Sequence, residues 1–290
     1  MRIVMTTHAR TPSYFFTSID ALFAATPAHV FDEHPLTISV HEPTAACIGP
    51  WAHDKRLKVR TLELDEHREK MQLATRAKVV HATKLALSLE PGEMLLLQDD
   101  IKFLPDWWAR FQEALAALTD RDNTCLTLYS HLWGNPGTRP IEAAKWWGLQ
   151  GMFFGENARR ASVASLQLQP MDYSPIEKRV GADVRIGGML VANQKPPEER
   201  RARPLPADDV RIQQMIVKHR GIKLWGTFPS LVQHTGKVSS IGSIMHGSPT
   251  YGDRKPLRMS GPSPSGSNVK QGGRSAESWA VGPTRPPRIR

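Results

Sequence analysis

Cysteine is scarce in this sequence: 290 residues carry only Cys47 and Cys125, with no CxxC pair. That excludes a disulfide framework and a cysteine-rich zinc site, and it fits a reducing compartment. No apolar run approaches the roughly 20 residues of a membrane-spanning helix. No secretory leader is legible either, because Met1 leads directly into the β-prone run RIVMTT. A cytoplasmic protein without a transmembrane segment is the expectation. The remaining composition, 40% apolar and 23% charged, is that of an ordinary globular chain. Its length admits one large domain or two small ones.

Acidic residues are also in short supply, leaving a formal net charge of +10. The location of that excess decides what it means. From His246 onward the basic residues are Arg254, Lys255, Arg258, Lys270, Arg274, Arg285, Arg288 and Arg290, against Asp253 and Glu277 alone, a net +6. The same stretch is rich in Gly, Pro and Ser and poor in aliphatic residues, so it buries too little surface to offset its ordering entropy. Residues 246–290 therefore read as a flexible basic tail, able to contact acidic partners. A nucleic-acid-binding protein would instead interleave basic and aromatic residues on a folded face. That class ranks last.

Residues 1–245 alternate between strand and helix patterns. RIVMTT is strand-like; SYFFTSIDALFAA puts Phe15, Ile19, Leu22 and Phe23 on one helical face; LTISVH and LKVRTLEL are strand-like. Glu66 to Leu89 is a helical stretch stopped by Pro91 and Gly92. MLLL is a continuous apolar run, the mark of a strand buried on both faces. DWWARFQEALAAL is amphipathic and TCLTLYS strand-like. The alternation predicts an α/β domain with a mostly parallel central sheet.

Ligands of such sheets bind at the carboxyl ends of the strands. The most apolar strand ends there on a charged doublet, Gln98-Asp99-Asp100. Two adjacent carboxylates need a positive neighbour, and an oxygen-bound Mg²⁺ or Mn²⁺ with a phosphate-bearing ligand is one solution. The alternative is one aspartate capping the next helix and the other solvated. In the second half, PSLVQHTGKVSSIG gathers Gln233, His234, Ser239 and Ser240. Neutral imidazole binds Mn²⁺-like ions, and hydroxyls with loop amides can hold phosphate oxygens.

Together the two segments resemble GT-A-type glycosyltransferases, in which an apolar strand runs into an acidic doublet or triplet and a QH-G--SS segment follows near the C-terminus. The pattern is similar to that of the N-acetylglucosaminyltransferase IV group. The resemblance implies a Rossmann-like GT-A domain over 1–245, a nucleotide-sugar donor with UDP favoured, and Mn²⁺ or Mg²⁺ as cofactor. It implies Asp100, His234 and Asp99 at the metal, with Gln98 standing where the family has an acid. Thr6, Thr7 and Arg10, in the loop after the first strand, fall where the nucleoside is cradled; Ser239 and Ser240 fall on the phosphate side, and Trp147 and Gly151 beside the donor sugar. Ser13 as an ordinary helix N-cap is the plainer reading of that first loop.

An inverting transfer needs a base to take the acceptor's hydroxyl proton. Asp208 and Asp209, at the start of the last helical pattern, are the candidates. Asp183 competes, because GADVRIGGML nearly echoes ADDVRIQQMI. QKPPEERRARPLP between them reads as an acceptor-side lid. Trp133, Trp146 and Trp147 offer faces for sugar stacking. The acceptor is a glycan, protein, lipid or modified nucleobase. A metal-dependent nucleotidyl or phosphoryl transferase, using the same strand-end acids, is the competing enzyme class.

Overall fold

The computed structural model describes residues 1–8, 13–41, 48–62, 75–130, 135–146, 148–166, 185–186, 189–190, 208–235 and 251. The chain divides into Met1–Pro256 and Leu257–Arg290. Every element below belongs to the first unit, and the second lies outside the described residues.

The first half of the central sheet follows the expected alternation. Strand β1 (Arg2–His8) leads to helices α1 (Phe15–Ala25) and α2 (His29–Glu33), then β2 (Leu36–His41), β3 (Leu57–Leu62), helix α3 (Thr75–Ser88) and β4 (Met94–Gln98). A short strand β5 (Ile101–Phe103) precedes helix α4 (Trp107–Ala116) and β6 (Thr124–Thr127). After β7 (Gly137–Pro140) and a single 3₁₀ turn (Ala143–Lys145) come β8 (Gly151–Phe154) and helix α5 (Glu156–Ser165). The hairpin strands β9 (Arg185–Ile186) and β10 (Met189–Leu190), helix α6 (Asp208–Lys218), β11 (Lys223–Phe228) and β12 (Val232–His234) complete the order.

Eight strands form one sheet in the order β3-β2-β1-β4-β8-β6-β11-β7. Strands β3, β2, β1 and β4 are mutually parallel, as are β6 and β11, while β8 and β7 run against their neighbours. The mostly parallel α/β sheet expected from the sequence is thus present. Successive side chains of a strand alternate between faces, and both faces are covered. Ile3, Met5, Leu95 and Leu97 pack with Phe15, Ile19 and Leu22 of α1 and Trp107 and Phe111 of α4. Val4, Met94 and Leu96 pack with Val80 and Leu87 of α3, Ala158 of α5 and Ile212 and Met215 of α6. Each fully buried Leu contributes about 1.5–3 kcal/mol, which accounts for MLLL at the centre.

Some expectations need revision. Helix α1 starts at Phe15, after Tyr14, so Ser13 is not its N-cap, and no side chain caps it. Of the long helical stretch read from Glu66, residues 75–88 form α3, and 63–74 lie outside the described residues. Trp146 is fully buried, so it packs and cannot stack on a sugar. Trp107 is buried too, donating its indole N–H to Thr26 Oγ1 at 2.9 Å. Within the stretch read as tail, Tyr251 packs against the core, and Lys102 Nζ lies 5.3 Å from its ring centre. Among the described residues no helix is long and apolar enough to cross a membrane.

Candidate active site

Asp99 and Asp100 follow directly on β4, the strand at the middle of the sheet. Neither caps a helix, because Ile101–Phe103 leaves the doublet as strand β5 and α4 begins only at Trp107, after Asp106. The capping alternative is therefore wrong. What turns the chain here is a second, two-stranded sheet. β12 runs antiparallel to β5, with His234 opposite Ile101 and Val232 opposite Phe103. The Thr235 N–H donates to the Asp100 carbonyl at 2.7 Å, and the Ile101 N–H donates to Ser18 Oγ of α1 at 2.9 Å.

That register carries His234 across 134 residues of sequence to Asp100, with its Nε2 3.1 Å from Asp100 Oδ2. Both side chains are only 11% exposed. Asp99 is held differently. Thr7, at the end of β1, is buried and donates its hydroxyl to Asp99 Oδ2 at 2.6 Å. The β1–β4 register explains the meeting: Thr6 lies opposite Gln98, Thr7 continues β1 opposite Val40 of β2, and Asp99 is the residue that follows β4.

The neighbouring wall is the segment before β8. Because β8 is antiparallel to β4, its first residue, Gly151, lies opposite Leu97 at the carboxyl end. The Gln98 N–H donates to the Gln150 carbonyl at 3.1 Å. Gly148 adopts a φ of +96°, and a Cβ there would come within 2.5 Å of Gln150 Oε1. A side chain at Gly148 meets both a backbone penalty and a collision. Its N–H donates to Asp209 Oδ2 at 3.0 Å, so the start of α6 joins the same wall.

The second acidic doublet opens α6. Asp209 also accepts the Val210 N–H through Oδ1 at 2.8 Å, a first-turn contact that suits a carboxylate at a helix N-terminus. Asp208 points elsewhere. It is 3% exposed, and Thr83 of α3 donates its hydroxyl to Asp208 Oδ2 at 2.5 Å. Burial pushes the Asp208 carboxyl above its ordinary range, although the Thr83 and backbone hydrogen bonds pull the other way.

The structure thus brings together Thr7, Gln98, Asp99, Asp100, Gly151 and His234 around the end of β4, with Thr6 half-buried beside them. Arg10, Trp133, Trp147, Asp183, Ser239 and Ser240 lie outside the described residues, as does the segment read as a lid. Ser18, Thr83, Gly148, Gln150 and Gln213 belong to the surroundings of the site and were not expected from sequence. Only Ser18 left a trace, a polar residue on the apolar face of α1 that also carries Phe15, Ile19 and Leu22.

Among the described residues, no group of three or more His, Cys, Asp or Glu is arranged to hold a metal ion. The donor set of Asp100 and His234, one carboxylate oxygen beside one imidazole nitrogen, nonetheless suits Mn²⁺ with the remaining positions filled by ligand oxygens, and suits Mg²⁺, which takes oxygen ligands, less well.

No protein-family model matches the sequence, and no curated protein matches it. Solved structures do. S. aureus TarS is 11% identical, with a TM-score of 0.38 over 56% of this chain and 29% of that one. Its 1-349 fragment is 12% identical, with a TM-score of 0.41 over 78% of this chain and 59% of that one. GalNAc-T7 with UDP, GalNAc and Mn2+ is 10% identical, with a TM-score of 0.45 over 91% of this chain and 46% of that one. The chain therefore spans less than two thirds of the length of each.

Proposed function

We propose that this protein is a GT-A-type glycosyltransferase that moves a sugar from a nucleotide-diphosphate sugar to an acceptor hydroxyl with inversion. The observation that supports this reading most is the approach of His234 Nε2 to Asp100 Oδ2 at 3.1 Å. The β5–β12 pairing produces it at the carboxyl end of a mostly parallel sheet, where α/β folds bind their ligands.

Asp100 and His234 are the residues that would hold Mn²⁺ or Mg²⁺, which would supply positive charge for the departing diphosphate. Asp99, its carboxylate oriented by Thr7, accepts hydrogen bonds from ribose or donor-sugar hydroxyls, and the Gln98 amide serves the same purpose without adding charge. Thr6, Arg10, Ser239 and Ser240 are assigned to the nucleotide and its phosphates, and Trp147 and Gly151 to the sugar.

Asp209 is the better base of the two acids on α6. The Gly148 and Val210 N–H groups both donate to its carboxylate, and it is less buried than Asp208. Its role is to accept the acceptor hydroxyl's proton as that oxygen attacks the sugar carbon. Asp208 supports the α3–α6 contact.

Calorimetric titration of UDP, then GDP, with and without Mn²⁺, tests the donor site. Expected is metal-dependent binding of one nucleotide diphosphate, UDP favoured, that disappears in Asp100→Ala. No binding of either by folded protein with metal present would overturn the reading.

A further inference from the structure

A buried amide next to the site has no place in the scheme so far. Gln213, in the middle of α6, is fully buried. Its Nε2 lies 3.0 Å from the Ala143 carbonyl oxygen, 3.0 Å from that of Ala144 and 2.5 Å from that of Trp146. These carbonyls belong to the isolated 3₁₀ turn and its exit; that of Ala143 also accepts the Trp146 N–H at 3.1 Å, and no helical turn follows to supply donors to those of Ala144 and Trp146. A primary amide has two N–H donors, so the three oxygens share them. Meanwhile Gln213 Oε1 has no partner among the described residues. A Leu or Met would fill this space without burying a lone carbonyl oxygen, so the gain lies in the donors.

Gln213 follows Asp209 by four residues, hence on the same face of α6. The two side chains grip one segment at successive points. Gln213 holds the carbonyls of 143–146, and Asp209 holds the Gly148 N–H. Two residues further on, the Gln150 carbonyl accepts the Gln98 N–H beside the doublet. Residues 143–146 and 148–150 are thus held between α6 and the end of β4.

We infer that Gln213 is a positioning residue for the active site: it sets the height of residues 143–146 on α6, and through the Gly148 N–H beyond them it orients the Asp209 carboxylate. The catalytic part of this inference rests on the glycosyltransferase reading. It separates Gln213 from a residue that merely holds the fold together, because donor binding at Asp100 and His234 lies on other elements.

The test uses the full chain and Gln213→Met, which has similar length and no donor. Hydrogen exchange at the Gly148 amide reads the positioning without substrate. Expected is at least tenfold faster exchange at Gly148, with core amides of β4 and β1 changed much less. In transfer assays, kcat should fall at least tenfold, while the Kd for UDP with Mn²⁺ stays within about twofold. Wild-type exchange at Gly148, or a kcat that falls only with the folded fraction, would overturn the inference. Should Gln213→Met not fold, Gln213→Asn, one methylene shorter, is expected to give the same changes to a smaller extent, and unaltered Gly148 exchange in it would be equally damaging. If the wild type transfers no sugar while Gly148 still loses protection in Gln213→Met, the glycosyltransferase reading has failed and the positioning role has not.

Discussion

The molecule carries two aspartate doublets, and they are built alike. Asp99-Asp100 ends a strand and Asp208-Asp209 begins a helix. In each, the first aspartate accepts a threonine hydroxyl from another element, Thr7 at 2.6 Å and Thr83 at 2.5 Å. In each, the second aspartate faces the candidate site, Asp100 toward His234 and Asp209 toward the Gly148 N–H. They differ in what the second carboxylate meets. Asp100 meets an imidazole nitrogen, a potential fellow ligand, whereas Asp209 meets backbone N–H groups that stabilise its charge but coordinate nothing. The same local device, an anchored acid followed by a presented one, is suited at one end to hold a cation and at the other to take a proton.

The largest expected effect breaks the cation side. Asp100→Ala should lower kcat/KM by roughly a thousandfold or more, the scale of several kcal/mol of lost charge stabilisation. Addition of Mn²⁺ should no longer enhance UDP binding. His234→Ala should follow in the same direction. If Asp100→Ala instead transferred sugar normally, the strand-end doublet would not be the cation site. Next in size comes Asp209→Asn, which keeps the shape and removes the proton acceptor. About a 10²- to 10⁴-fold loss in kcat is expected, with metal-dependent UDP binding intact. Loss of binding and turnover together would argue against a base.

How much of this was legible in the sequence depends on the range of the signal. The β4 run, its terminal doublet and the α/β alternation were readable because strand burial and helical periodicity are local properties. The meeting of Asp100 with His234 had no local trace. It depends on β5, a three-residue strand in a stretch that read as the approach to a helix. The pair of near-echoes shows the limit from the other side. Val184-Arg185-Ile186 and Met189-Leu190 flank Gly187-Gly188, a favoured hairpin pair, and Arg185–Ile186 does pair antiparallel with Met189–Leu190. Val210-Arg211-Ile212 continues through Gln213-Gln214, good helix formers, and the result is α6. Thr83 and Gln213 gave no warning, since a threonine or glutamine within a helix is equally at home on the surface.

A third effect lies on the anchored side of the helix doublet and is one of stability. Burial raises the Asp208 carboxyl above its unfolded value, so the native state holds that proton more tightly than the unfolded chain. Its contribution is therefore fully present below the unfolded carboxyl range, near pH 4, and is lost as pH rises through the folded-state value. Asp208→Asn removes the charge and with it this dependence. Urea midpoints at pH 4 and pH 8 should show the variant gaining on the wild type as pH rises. A difference between the two proteins that does not change with pH would mean that Asp208 is ionised in the fold without penalty.

The smallest effect compares the anchors themselves. Thr7→Val and Thr83→Val each remove one hydroxyl at nearly constant volume and leave a buried carboxylate oxygen short of a donor, at a cost of about 1–3 kcal/mol. In stability the two variants should therefore be similar. In function they should part. Thr7 orients Asp99, the acid proposed to face the nucleotide, so its variant should bind UDP several-fold more weakly. Thr83 orients Asp208, which faces the helix contact, so its variant should bind UDP as the wild type does. Equal loss of UDP affinity in both would mean that the α3–α6 contact transmits to the donor site as directly as Thr7 does. The division of labour between anchored and presented acids would then hold for neither doublet.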